Sequence, residues 1–382
     1  MKHHRRFFAI MLAGALLLAC VACGNNDRLP PVPRGSMISS DGTAAMGFQA
    51  LMNTSAAELH RVSPAYGRES ELGTMPVYRN PRYGKQMTEA EAMEIAEKFG
   101  ADMGKTYTYI PPEWLADPEL QKAMRDKLEL MPPEQREMIE NKPLGYWEFK
   151  HDDETLTVDG SYGNISLSVP LPAHLPDLAD PTARQEAICW QVYELYAAAI
   201  EALTGFRFSK ISTAFEYGVN EEGIAFQIYT TFLYANDPGD SLARQAEDYA
   251  IKRLNVSVIE EPGREAAFLS FDLYYPRAEE LLGNYPVLDL EGAKRELLSG
   301  NYEAPVEATR AELSRATIEE AEIIYSIRPW SSTFAPMYCL YLTFPPGDME
   351  GWNNDSPYLD RLGLRNYYIF FVPAVPSKYL VP

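Results

Sequence analysis

The chain has little histidine and little cysteine, with five and four residues, respectively, among 382. The histidines are His3, His4, His60, His151 and His174. The last three have no second histidine or cysteine at the two- to four-residue spacing that zinc sites commonly use. Glycine-rich loops of the P-loop or dinucleotide-binding type are also missing. These absences exclude zinc and nucleotide sites of the common kinds, and no cofactor is predicted.

One four-residue motif resembles a catalytic one. Gly239-Asp240-Ser241-Leu242 is similar to the nucleophile block of GDSL esterases, in which a histidine near the C-terminus accepts the proton of the serine. All five histidines of this chain precede Ser241, so the motif lacks its base. A helix cap explains these residues better, with Asp240 or Ser241 placed ahead of a helix that begins near Leu242.

Apolar runs long enough to cross a bilayer are lacking, but the N-terminus carries a shorter one. Basic residues at positions 2–6 precede an uncharged run at 7–19, which is typical of a signal peptide. The run ends in Leu17-Leu18-Ala19-Cys20, which resembles the bacterial lipobox. That resemblance implies cleavage before Cys20 and a covalent diacylglycerol on its sulfur. Cys23 is the alternative lipidated residue, and an uncleaved anchor or an ordinary secreted protein remains open.

Acidic residues outnumber basic ones, 54 to 34, and the formal net charge is −20. Loss of residues 1–19 removes three basic side chains and brings the charge to −23. Nucleic acid and anionic lipid headgroups repel such a body, so nucleic acid is excluded as a partner. The membrane is therefore contacted through the lipid, on the extracytoplasmic side. A cationic peptide, a divalent ion or a basic protein face suits this charge, although solubility alone also explains it.

Helix caps and alternating apolar residues predict an α+β fold with two to three lobes, each a helix packed on a short curled antiparallel sheet. Thr88 starts a capping box, and Asp180 precedes a proline at the first turn of a long helix. The predicted regions are a leader at 1–19, a lipidated cysteine and flexible tether at 20–75, and lobes at 76–175, 176–285 and 286–382. Cys189 falls in a helical pattern and Cys339 in a strand pattern, which favours two separately buried thiols over a disulfide.

The C-terminal lobe resembles a known arrangement. In this lobe a helix comes first and four segments come after it. They are Ser299-Gly300-Asn301-Tyr302, Ala321-Glu322-Ile323-Ile324-Tyr325, Pro336-Met337-Tyr338-Cys339-Leu340-Tyr341 and Tyr367-Tyr368-Ile369-Phe370-Phe371-Val372-Pro373-Ala374. This order is similar to PepSY-like lobes and to the extracytoplasmic lobes of YycH- and YycI-type regulators of sensor kinases. Those regulators have a membrane-spanning helix where this chain has a lipobox. The overall layout resembles lipoproteins of Gram-positive anaerobes. The resemblance implies a regulatory role without catalytic residues.

Aromatic residues are abundant, with 24 Tyr, 16 Phe and 5 Trp. Six of them fall on or beside predicted strands and form a candidate binding face for a peptide or glycan. They are Trp147, Trp330, Tyr338, Tyr341, Tyr367 and Tyr368. Core packing between strands is the alternative interpretation. An oxygen-rich loop supplies the calcium candidates Asp348, Glu350 and Asp355, which are also consistent with an ordinary acidic loop.

These patterns favour one function over two others. The first is a lipid-anchored extracytoplasmic binding or regulatory protein, without catalytic activity, that contacts a peptide or a membrane-protein partner. The second is a cell-envelope hydrolase that uses paired carboxylates as acid and base. The third is a structural envelope lipoprotein. A deep aromatic cleft with two facing carboxylates favours the hydrolase, whereas a site without perturbed titratable groups favours the binding protein.

Overall fold

The computed structural model describes residues 29–381 with several gaps. The gaps are 34–62, 113–117, 120, 123–144, 161–163, 220–224, 236, 238, 261–264, 274, 305–307, 326–330, 346–347 and 349–367. Five α-helices are described: α1 (Glu89–Phe99), α2 (Pro181–Thr204), α3 (Leu242–Ile251), α4 (Leu290–Leu298) and α5 (Arg310–Arg315). The strands are β1 (Val32–Pro33), β2 (Thr74–Arg79), β3 (Tyr107–Ile110), β4 (Tyr146–His151), β5 (Glu154–Asp159), β6 (Asn164–Pro170), β7 (Lys210–Val219), β8 (Ala225–Tyr234), β9 (Arg253–Ile259), β10 (Ala266–Asp272), β11 (Leu281–Pro286), β12 (Thr317–Tyr325), β13 (Thr333–Phe334), β14 (Pro336–Thr343), β15 (Tyr368–Pro373) and β16 (Leu380–Val381). The architecture is mixed α+β, and its larger sheets are antiparallel, as the sequence predicts.

The largest sheet has eight strands in the order β3-β4-β5-β6-β10-β9-β8-β7. Alternate residues of β5, β6 and β10 are buried, because one face of the sheet meets the helices α1 and α2 and the other is more exposed. Phe149, Leu167 and Leu269 are fully buried from the sheet side, and Val192 meets them from α2. This is the first core of the protein.

The helix ends follow the capping patterns of the sequence. The backbone N–H of Glu91 donates to Thr88 Oγ1 at 3.3 Å, and the Glu91 carboxylate accepts from the Thr88 N–H at 2.9 Å. The Asp180 side chain caps α2, which ends at Gly205 in the left-handed region with a φ of 82°. The Ser241 hydroxyl accepts from the Arg244 N–H at 3.3 Å. Ser241 is therefore a helix cap, and the capping predictions at these positions are confirmed.

A second core lies between two three-stranded sheets and the helices α3, α4 and α5. The sheets have the orders β12-β14-β15 and β11-β2-β13. Strand β14 is buried along nearly its whole length, since both of its faces are covered. Tyr338 and Leu340 point to the main second core, while Cys339 and Tyr341 form a smaller cluster with Ile369 on the opposite face.

Strand pairing crosses two of the predicted lobe boundaries. β6 and β10 pair along their whole length, from Asn164 against Asp272 to Pro170 against Ala266. The boundary predicted at 175/176 therefore separates strands of a single sheet. The boundary predicted at 285/286 falls inside β11, which pairs with β2. The physical reason is that antiparallel hydrogen bonds join residues 96 or more positions apart in these pairs, and periodicity along the chain carries no information on such partners.

Two stretches of the predicted tether pack against the rest of the protein. Val32 in β1 pairs in parallel with Leu380 in β16 and is almost completely buried. The Tyr285 hydroxyl donates to the carbonyl oxygen of Pro30 at 2.6 Å. Farther along, Leu72 is buried in the second core together with Ala65. Residues 29–33 and 63–75 are therefore held in place by apolar burial, and they are not a free tether in the structure.

Candidate functional site

The aromatic residues predicted as a binding face do not share one surface. Trp147 lies in β4 of the eight-stranded sheet. Tyr338, Tyr341 and Tyr368 lie in the β12-β14-β15 sheet and are only 0%, 4% and 6% exposed. Because both faces of β14 are covered, these three tyrosines are core residues and offer no exposed contact. Trp330 and Tyr367 lie outside the described residues.

Trp147 instead belongs to a small aromatic cluster on the edge of the large sheet. Its ring lies 4.8 Å from that of Tyr109 and 6.1 Å from that of Tyr107, across the β3–β4 pair. The hydroxyl of Tyr109 accepts from the Gly145 N–H at 3.1 Å, and the Tyr107 hydroxyl donates to Glu89. The polar ends of both tyrosines are thus bound within the protein. Cross-strand packing accounts for this cluster.

Asp348, one of the three calcium candidates, has an arginine as its counterion. Arg315 donates two hydrogen bonds to its carboxylate, at 2.9 and 2.7 Å. This bidentate pair lowers the pKa of Asp348 through hydrogen bonding and charge. Glu350 and Asp355 lie outside the described residues. Within the part of the chain that the structure describes, no three histidine, cysteine or carboxylate side chains converge as metal ligands.

The two cysteines of the body are unpaired and buried, as the sequence favours. Burial raises the pKa of the Cys189 thiol to about 11, and that of Cys339 well above its ordinary value. Both are therefore protonated at neutral pH, whereas a cysteine nucleophile reacts as the thiolate. Cys189 fills space in the first core and Cys339 in the smaller cluster with Tyr341 and Ile369. Ser241 serves as the helix cap described above.

A cleft of about 270 Å³ lies where the two cores meet. Its apolar wall consists of Ile95 from α1, Leu203 from the end of α2, and Leu273 just after β10. Leu203 and Leu273 pack against the first core, while Tyr275 packs against the second. Ligand sites in proteins often occupy such junctions, because two bodies supply walls that neither has alone.

Tyr275 lines the cleft, although its hydroxyl is closed off from solvent. Its hydroxyl is buried and has no hydrogen-bond partner among the described residues. The ring is held edge-on to Phe206, with the centroids 4.6 Å apart. Burial raises the pKa of Tyr275 well above its ordinary value, and the nearby Asp272 carboxylate adds to the effect, so the hydroxyl keeps its proton. A buried hydroxyl without a partner is costly and calls for an explanation.

Charged side chains of both signs surround the cleft. Arg82, Lys98 and Arg277 bring three positive charges. The carboxylates are Glu91, which accepts two hydrogen bonds from Thr88 in the capping box, and Glu94. Lys98 lies 4.0 Å from Glu94, and Arg277 lies 4.0 Å from Glu279. Both separations are at the outer limit for an ion pair, so neither cation is tightly held by these carboxylates.

Reasoning from the sequence did not identify this cleft. Its wall comes from residue 82, α1, the end of α2 and residues 273, 275 and 277, which are far apart along the chain. The α1 pattern identifies Ile95 only as a core position, and nothing near Tyr275 resembles a motif. The segments have no common spacing to recognise in the sequence, because only folding brings them together.

None of the helices in the described ranges combines the length and the apolar character needed to cross a bilayer. The search for relatives gives no family to compare with this geometry. No protein-family model, no curated protein and no solved structure matches the chain.

Proposed function

We propose that this protein is a lipid-anchored extracytoplasmic binding or regulatory protein without catalytic activity, and that its ligand occupies the cleft beside Tyr275. The observation that carries the proposal is the cleft itself, whose wall is formed by residues that pack on both cores. Ser241, the side chain that suggested catalysis, has a structural role as a helix cap.

The proposal includes a division into lobes. One lobe is the eight-stranded sheet with α1 and α2, and the other is the pair of three-stranded sheets with α4 and α5. Helix α3 contacts both β9 and β12, so it lies between them. A ligand in the cleft contacts residues that pack on both cores. This arrangement suits a regulator whose ligand is a peptide or a segment of a membrane protein.

The position of β1 supports attachment close to the membrane. Only eight residues separate Cys20 from residue 29, where the described chain begins. Even fully extended, this linker spans about 30 Å. With a diacylglycerol on Cys20, the β1–β16 pair therefore lies near the bilayer and the negatively charged body is held beside it. Attachment through Cys23 shortens the linker further.

Replacing Cys20 with Ser tests the anchor. We expect this variant to lose incorporation of labelled palmitate and to keep its leader, because the lipobox peptidase needs the lipidated cysteine. Cys23→Ser is the matched control for the alternative site, and Cys189→Ser is the control for a buried thiol. Both controls are expected to label and to mature normally. A Cys20→Ser protein that is still labelled and cleaved would show that Cys20 is not the lipidated residue.

Photocrosslinking in intact membranes tests the cleft. A photoreactive phenylalanine analogue replaces Leu203, which lines the cleft, or Leu195, which lies on the same helix and is 65% exposed. We expect a discrete crosslinked product from position 203 and none from position 195. The same products at both positions, or none at either, would contradict a binding site in the cleft.

A further inference from the structure

We infer that the outer edge of β7 is an interaction surface for a second copy of this chain, whose own β7 pairs with it in the antiparallel direction about Thr213. The two paired strands join two eight-stranded sheets into one continuous sheet with twofold symmetry. This surface lies at the opposite end of the large sheet from β3 and away from the cleft. The inference does not depend on the proposed function.

The two edges of the eight-stranded sheet differ in how well they are protected against a further strand. Strand β3 is four residues long and is followed directly by Pro111 and Pro112, which have no N–H to donate. Strand β7 is ten residues long, contains no proline and pairs with β8 residue for residue along its whole length. Within the described part of the chain, no strand pairs with the other side of β7. A long and regular edge of this kind presents backbone donors and acceptors to another strand.

One face of β7 belongs to the first core and therefore restricts how a second copy can pair with it. Ile211 packs against that core, and the Thr213 hydroxyl lies 3.0 Å from the hydroxyl of the buried Thr231. Because side chains alternate along a strand, Lys210 and Ser212 lie on the other face. A twofold axis perpendicular to the sheet keeps the two core faces on the same side, and it must then pass beside a residue and not between two residues.

Charge selects one register among those that remain. With the axis at Thr213, position 210 of one copy lies opposite position 216 of the other, and the sequence has Lys210 and Glu216 at these positions. The symmetry repeats the pair, so this register provides two cross-strand pairs of opposite charge. These two residues are the only charged ones in β7, and an axis at any other residue of the strand does not bring them together. Lys210 is exposed and has no ion pair among the described residues.

The contact that this register creates is small. It pairs residues 210–216 of each copy, whereas a standard protein interface uses roughly 20–30 residues on each side. The acidic character of the chain, with a net charge of −20, also opposes self-association. We therefore expect a reversible dimer whose stability depends strongly on the two pairs of opposite charge.

Sedimentation equilibrium of the full chain in detergent, at about 1 to 100 µM, covers the affinities expected of a small interface. We expect the mass to rise from monomer towards dimer with concentration. Lys210→Glu and Glu216→Lys each place two pairs of like charges across the interface, so each is expected to weaken association at least about tenfold. Lys294, exposed on α4, supplies the control. Lys294→Glu makes the same change in net charge as Lys210→Glu and is expected to associate like the parent.

A mixture of the two single variants makes the test specific to the register. In the mixed dimer, the copy with Lys210→Glu has acids at both positions and the copy with Glu216→Lys has bases at both, so opposite charges face each other again. We expect the one-to-one mixture to associate like the parent, which also shows that both variants are folded. The inference is overturned by a parent that stays monomeric throughout, by a Lys210→Glu protein that associates like the parent, or by a mixture that does not associate.

Discussion

Arg244→Met is expected to lower the free energy of unfolding by about 3 kcal/mol. Arg244 lies 2.8 Å from Glu247 and 3.2 Å from Asp248, two carboxylates of α3 that are only about 5% exposed. Removing the cation leaves Glu247 with Tyr78 as its remaining partner, and Asp248 with Lys252 at 2.8 Å. Breaking a buried ion pair usually costs 3–5 kcal/mol, and the low end applies because the arginine itself is 41% exposed.

The matched control is Arg207→Met. Arg207 also pairs with a helical glutamate, Glu194, at 2.5 Å, but both side chains are exposed. Solvent and salt screen such a pair, so we expect no measurable loss of stability. Urea unfolding monitored by tryptophan fluorescence measures both variants. Equal losses for the two would mean that burial of Glu247 and Asp248 does not determine the contribution of Arg244.

Asp272→Asn is expected to stabilise the protein at pH 7 by up to about 3 kcal/mol and to have little effect near pH 4. Desolvation raises the pKa of Asp272 to about 6, although Arg253 and Asn164 oppose this increase. Since the folded-state pKa lies above the ordinary value of 3.8, ionisation opposes folding. The stability that the protonated form provides is present below about pH 4 and is lost as the pH rises through 6. The asparagine side chain does not ionise, so the variant does not lose this stability as the pH rises.

Asp348→Asn is the control, because its expected effect on stability at pH 7 has the opposite sign. Arg315 lowers the pKa of Asp348, so its contribution to stability is present at pH 7 and is lost as the pH falls. This variant is expected to be less stable than the parent at pH 7 and equal to it in acid. Urea unfolding at several pH values from 8 down to about 2 compares the three proteins, because the contribution of Asp348 is lost only below its ordinary pKa of 3.8. A difference between the parent and Asp272→Asn that does not change with pH would contradict the assigned role of Asp272.

Local signals in the sequence predicted local structure well. The caps at Thr88, Asp180 and Ser241 lie where the side chains indicate, since a cap depends on residues within three or four positions of one another. The alternation of apolar and polar residues predicts strands at 146–151, 155–158 and 165–169. Strand β4 has the first of these bounds, and β5 and β6 each extend one residue further at both ends.

Strand β2 shows why other elements were missed. Its residues are buried in a continuous run, and it contains Pro76, which usually argues against an inner strand. Strand β13 pairs only with Tyr78 and Arg79, so at Pro76 strand β2 has a neighbour on one side only, and a missing N–H is tolerated there as at a sheet edge. The carbonyl oxygen of Pro76 accepts a hydrogen bond from the Tyr325 hydroxyl at 2.8 Å. That partner lies 249 residues away. A contact of this kind has no signature along the chain.

The candidate site was beyond prediction for a related reason. The aromatic residues singled out in the sequence are strong contributors to packing, and in β14 the second covered face turns Tyr341 from a surface residue into a core residue. In the sequence, Tyr275 looks the same as the other tyrosines. Its place in the wall of the cleft is a property of its surroundings in the folded chain.

The pairing of β1 with β16 brings the first and last described strands of the chain side by side. Under the proposed attachment at Cys20, the linker to residue 29 spans about 30 Å at most. The same lipid would therefore also hold the C-terminal strand close to the bilayer, so that both ends of the described chain lie on the membrane side of the protein.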